Sequence, residues 1–148
     1  MLFRQTSRTG AEAVLIVCRN ISGATVSAGV PVEWDAVTAT DGNAVTQCRS
    51  GTLSLAGLFA GITDASLTDS AYGLVQVYGF RTSAYYSGRS GTASNPGTFV
   101  KPVAGQLEPQ TMSAATTSGH IFVTLMETSA AAAASSTVQY RNVFIRAL

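Results

Sequence analysis

The sequence predicts an all-β protein, a single-domain β-sandwich or β-barrel with an extended N-terminal arm. Three observations predict it. Short apolar, partly β-branched segments recur about every ten residues. Gly, Asn, Asp, Pro and Ser fill the gaps between them as turn residues. No segment of helical period, roughly twelve residues or longer, competes with these strands. The chain has 148 residues, and one domain of this size buries roughly 68–70% of its unfolded surface without needing staples. Residues 1–12 are assigned to the arm and 13–148 to the β domain. No internal repeat of fixed period is found.

The arm mixes polar and basic side chains around Leu2 and Phe3 and shows no periodicity. Ala13 to Cys18 is continuous and apolar, as in a strand covered on both faces. Asn20-Ile21-Ser22-Gly23 turns the chain into Ala28 to Asp35, where Val30, Val32 and Trp34 share one face at period two. Pro31 lacks an N–H, so this strand is an edge or begins there. Asp41-Gly42 reads as a hairpin turn before Ala44 to Cys48. Ser54 to Ile62 is a short apolar stretch broken by glycine, and Asp64 to Ser70 is a polar corner. Gly73 to Phe80 is the clearest strand, which Ala84-Tyr85-Tyr86 extends or follows. Ser87 to Gly97 is a loop, and Phe99-Val100 resumes extended structure. Pro109 to Gly119 reads as loop, and the last two strands fall at His120–Met126 and Val138–Ile145. Between them, Ala130 to Ala134 reads equally as a short helix or an irregular connector.

Composition narrows the function. Hydrophobic residues make up 46% and charged residues 11%, against about 25% charged in an ordinary domain. Ser and Thr supply roughly a quarter of the chain, so its surface is hydroxylated rather than ionic. Little charge keeps free copies apart, which suits life in an assembly. The formal net charge of +1 lacks the basic excess of a nucleic-acid binder. Ala13 to Cys18 is far short of the ~20 apolar residues that span a bilayer. The start MLFRQTSRTG has no apolar stretch of a secretory signal. A soluble protein made in the cytoplasm is therefore expected, with Cys18 and Cys48 reduced and buried.

Catalytic chemistry finds no foothold in the pattern. His120 is the one histidine, and no nucleophile elbow or phosphate-cradling loop accompanies it. Glu33 and Asp35 lie on the same side of a strand, about the ~5–5.5 Å separation of a glycosidase pair. Any Glu-x-Asp strand gives that spacing, and Val30, Val32 and Trp34 claim the opposite face for the core. Both acids are therefore expected in solvent. Asp64 and Asp69 flank a turn and are too sparse for a calcium loop. The chain is read as a non-enzyme, without cofactor or metal.

Surface contact is the chemistry that remains. Tyr85 and Tyr86 beside Arg89 combine contact area with hydrogen bonding, as interface residues do. Core packing and a ligand platform are the alternative readings of the same residues. The arm adds Leu2 and Phe3 as apolar anchors, with Arg4 and Arg8 as donors for carboxylates. It is expected to reach a neighbour and to add nothing to the sheet.

Three segments together carry a resemblance. They are Ala28-Gly29-Val30-Pro31-Val32, Ala60-Gly61-Ile62-Thr63-Asp64-Ala65 and Gly73-Leu74-Val75-Gln76-Val77-Tyr78-Gly79. This succession resembles the decoration, or cement, proteins of tailed-phage capsids, over roughly residues 24–90. The resemblance implies a compact β-barrel or sandwich that binds the outside of a phage head and clamps neighbouring major capsid subunits. It further implies a homo-oligomer, trimer or dimer, at a local symmetry axis of the virion. A receptor-binding module of a tail or fibre is the alternative.

Overall fold

The fold, taken from a computed structural model, is described for residues 2–5, 12–38, 42–48, 58–88, 93–109, 123–129 and 138–147. Ten strands follow one another without a helix among the described residues. They are β1 (Leu2–Gln5), β2 (Ala13–Asn20), β3 (Pro31–Trp34), β4 (Ala44–Gln47) and β5 (Phe59–Thr63). After them come β6 (Tyr72–Ser87), β7 (Phe99–Val103), β8 (Gln106–Pro109), β9 (Val123–Leu125) and β10 (Val138–Arg146).

Their hydrogen bonds close on themselves twice. The first ring runs β2–β4–β3–β5–β6 and back to β2. The second runs β6–β8–β7–β9–β10 and back to β6. In each ring one pairing is parallel, β2–β4 in the first and β6–β8 in the second; the other four are antiparallel. The 16-residue β6 belongs to both rings and ties them into one sheet. Closure pairs the edges that an open sheet would leave bare.

The two rings have the same topology, strand for strand. Cys18, Val32, Val45, Val75 and Val77 fill the first. At the matching places in the second stand Ala84, Val100, Leu107, Val143 and Ile145. The short bridge Val26–Leu67 across the mouth of the first ring recurs as Ser94–Ser129 in the second. No fixed period betrays this duplication in the sequence. Thr63 and its match Leu125 lie 62 positions apart, but Val32 and Val100 lie 68 apart. Burial selects a small or apolar side chain at each place, and several can serve, so few identities survive.

Glycine lets the rings share a strand. Gly79 sits at φ 103°, and a Cβ there would drive into the carbonyl oxygen of Glu12. Gly29 and Gly61 also have positive φ, and Gly73 lies against Leu67.

Several expectations need correction. The arm is extended, but Leu2–Gln5 pair antiparallel with Ile16–Ala13 of β2, so this part of it belongs to the sheet. Glu33 and Asp35 are buried, not solvent-facing. The outer face of β3 and its neighbours is the junction with the second ring: Cys48, Phe59 and Ile62 join the second core. Asp35 turns its carboxylate to the backbone N–H groups of Val37 and Thr38. Trp34 is half-buried against the first core rather than enclosed by it. Pro31 begins a strand flanked on both sides, where its missing N–H is tolerated at the first position. Gln106–Pro109 form β8, so Pro109, read as the start of a loop, is the last residue of a strand. His120 and Ala130 to Ala134 lie outside the described residues.

Candidate interaction surface

The long strand β6 and its partner β10 carry two aromatic pairs. Tyr85 pairs across the strands with Tyr140, ring edge to face, centroids 5.6 Å apart. The Tyr85 N–H donates to the Gly29 carbonyl at 2.8 Å, which seats the tight turn before β3 on β6. Tyr85 is thereby half-buried against the first core. Tyr140 stays 59% exposed. Further along, Tyr78 meets Phe144 edge-on at 5.4 Å.

Tyr140 has a counterpart in the first ring. Tyr72 takes the same place at the start of the ring's last strand and is 63% exposed. Across the pair from Tyr72 stands the exposed Arg19, where the second ring has Tyr85. Each ring therefore presents a tyrosine to solvent from the same position, with an arginine or a second tyrosine opposite. Such rigid, amphipathic side chains lose little entropy on contact and supply both area and a hydroxyl.

Polar side chains near the junction have structural partners. The Arg81 guanidinium donates to the Asp64 carboxylate at 3.2 Å, the Gln76 amide oxygen at 3.3 Å and the Asp64 carbonyl at 3.2 Å. Gln76 in turn donates to the carbonyls of Tyr78 and Phe80. In the second ring the Glu127 carboxylate accepts from the N–H and side-chain amide of Asn142. These contacts brace the β6 and β10 irregularities.

Cys18 and Cys48 are free and buried. Burial pushes the Cys18 thiol up to about 11. Burial, and then the nearby Glu33 charge, pushes Cys48 up further. Neither is a poised nucleophile. Among the described residues no cluster of three His, Cys, Asp or Glu could hold a metal ion.

Of the seven residues expected at an interface, the five that are described do not form one group. Leu2, Phe3 and Arg4 lie on β1, opposite Ile16, Leu15 and Val14. Tyr85 stands at the ring junction. Tyr86 is fully buried in the second core, and its hydroxyl donates to the Ser94 hydroxyl at 2.9 Å. It is a core residue, because consecutive residues of a strand face opposite ways and Tyr85 takes the outer side. Arg8 and Arg89 lie outside the described residues. Sequence reasoning placed neither Tyr72 nor Tyr140 at an interface. Their shared place is visible only once the two rings are matched.

No protein-family model matches this chain, and no curated protein matches it.

Proposed function

We propose that this chain is a capsid decoration protein, which binds the outer surface of a phage head and clamps adjacent major capsid subunits. The observation that carries the reading is the pair of exposed tyrosines, Tyr72 and Tyr140, held at the same place on two fused, closed rings. A clamp needs a stiff body and contact points that recur across a subunit joint. The rings supply stiffness, since sliding any ring strand breaks pairings on both sides. The tyrosines supply contact points of one kind at two places. The succession of glycine and valine motifs from Ala28 to Gly79 supports the same class of protein.

The physical demands of the role fit these features. Packaged DNA presses a capsid outward, and a bridge across a joint adds binding energy where shear begins. An interface of ~1,600 Å² suffices for specific binding, and many copies on one lattice add avidity. No turnover is needed, so no titratable group has to be poised.

The direct test mixes purified protein with phage heads that lack their decoration and measures bound copies by sedimentation. Saturable binding at hundreds of copies per head supports the reading. Finding the chain in only a few copies per virion, at the tail, would replace it with the receptor-binding alternative. No binding to heads and no presence in virions would reject both.

A further inference from the structure

Each ring has its own core, but the two cores are not built alike. Among the described residues, every buried member of the first, from Val14 to Val77, comes from the first ring itself. The second core borrows Cys48, Phe59 and Ile62 from the first ring. Register explains the loan. On β5, Phe59 pairs with Glu33 and Ile62 with Pro31, and the irregularity between them turns both to the side of β3 away from Val32. Ala60, between them, goes to the first core. In return the second ring lends the first core only Tyr85 and Ala147, both partly buried. Pairing divides the same way. β6 is bonded to β2 as far as Gly79 and to β10 from Tyr78 on, so the rings overlap there only at Tyr78 and Gly79.

We propose that the second ring is a clasp, which opens and recloses as a unit while the first ring stays shut, and that the reverse does not occur. Opening the second ring uncovers Cys48, Phe59 and Ile62 but leaves every buried residue of the first core in place. Opening the first ring would take a wall of the second core with it, so the whole molecule comes apart. Stability is divided in this manner wherever one cooperative unit leans on another. An open clasp gives up the place of Tyr140 and keeps that of Tyr72, so the two exposed tyrosines are uncoupled. The inference stands apart from the capsid reading, because it is tested on the isolated chain.

The native thiols report on the two cores, Cys18 from the first and Cys48 from the second. The full chain is labelled with N-ethylmaleimide at urea concentrations below the unfolding transition, and the labelled sites are read by peptide mass. Reagent is kept dilute, so that labelling is slower than reclosing and reports the open population. Each rate is divided by that of the same thiol in the unfolded chain. Cys48 is expected to label tenfold or more faster than Cys18. Its urea dependence should be smaller than that of global unfolding but well above zero, as for the opening of a whole unit. A third thiol separates a clasp from fraying at the end of β4. Ala84→Cys, with Cys18→Ala and Cys48→Ala, reports on the second core from β6 and is expected to match Cys48 in rate and urea dependence. Amide exchange of the unaltered chain gives a second readout: β9 and β10 should exchange with Cys48, and β2 and β3 with Cys18. Equal protection of Cys18 and Cys48 would mean that the rings open together, and lower protection of Cys18 would reverse the order; either overturns the proposal. So does fast labelling of Cys48 while β10 amides stay as protected as Cys18, which would report local fraying.

Discussion

Gly29 and Gly97 occupy the same place in successive rings. Each takes a left-handed backbone, φ 82° and 88°, in a turn just before a strand. The Gly29 N–H donates to the Thr63 carbonyl at 2.9 Å, and the Gly97 N–H donates to the Leu125 carbonyl at 2.8 Å. Thr63 and Leu125 return the bond, to the carbonyls of Val30 and Thr98. The two turns differ in what surrounds them. A Cβ on Gly29 would meet the Ser83 carbonyl oxygen, while one on Gly97 would meet nothing within 4 Å.

That difference sets the first prediction. Gly97→Ala should cost only the backbone strain of positive φ, about 1–2 kcal/mol. Gly29→Ala should cost distinctly more, because the turn must also back away from β6 and loosen the Tyr85–Gly29 bond. Urea unfolding of the two variants checks it; equal losses would show that the rings do not meet at this turn.

Arg81 braces the strand that the rings share. Replacing it with Met keeps most of the bulk but strips donors from Gln76 and the Asp64 carbonyl. A loss of about 1–3 kcal/mol is expected, the cost of leaving buried acceptors unpaired. Asp64→Asn should cost under about 1 kcal/mol, since the carboxylate is nearly half exposed and solvent screens the pair. Similar losses in both variants would place the stabilisation in the ion pair instead.

Tyr72→Ala and Tyr140→Ala should leave the unfolding midpoint nearly unmoved, because both side chains are mostly in solvent. Under the capsid reading, each should weaken attachment to undecorated heads by tenfold or more, on the order of 1.4 kcal/mol. Binding isotherms of the single and double variants measure this. Unchanged affinity in the double variant would remove the tyrosines from the contact.

The buried thiol of Cys18 makes stability depend on alkaline pH. Its pKa rises from an ordinary 9.0 to about 11 on folding. Above pH 9 the unfolded chain therefore gives up a proton that the folded chain keeps. The stability this represents is present in full below pH 9 and is lost as pH climbs towards 11. Cys18→Ala, which installs the residue that Ala84 provides in the second ring, should flatten the decline. Urea midpoints of the two proteins at pH 8 and pH 10.5 test the difference; parallel declines would assign the effect to other groups.

Local order was legible where it is written locally. The alternation around Val30 and Val32, the run Ala13 to Cys18 and the stretch Gly73 to Phe80 each mark a strand. Side-chain period and β-branching act within a few residues, so they survive in a single sequence. The all-β class followed from these.

Tertiary structure decided which faces are inside. Glu33 and Asp35 share a strand face, and their polarity pointed that face to solvent. Ring two covers it, because strands at a junction are packed on both sides and polar residues there find partners. Tyr86 lost its place at a surface for a related reason: alternation says that Tyr85 and Tyr86 face opposite ways, not which one faces out. The matched pair Tyr72 and Tyr140 came into view only through pairings between residues distant in the chain. Ring closure depends on such pairings, and spacing that varies from 62 to 68 positions leaves no period for a single sequence to show.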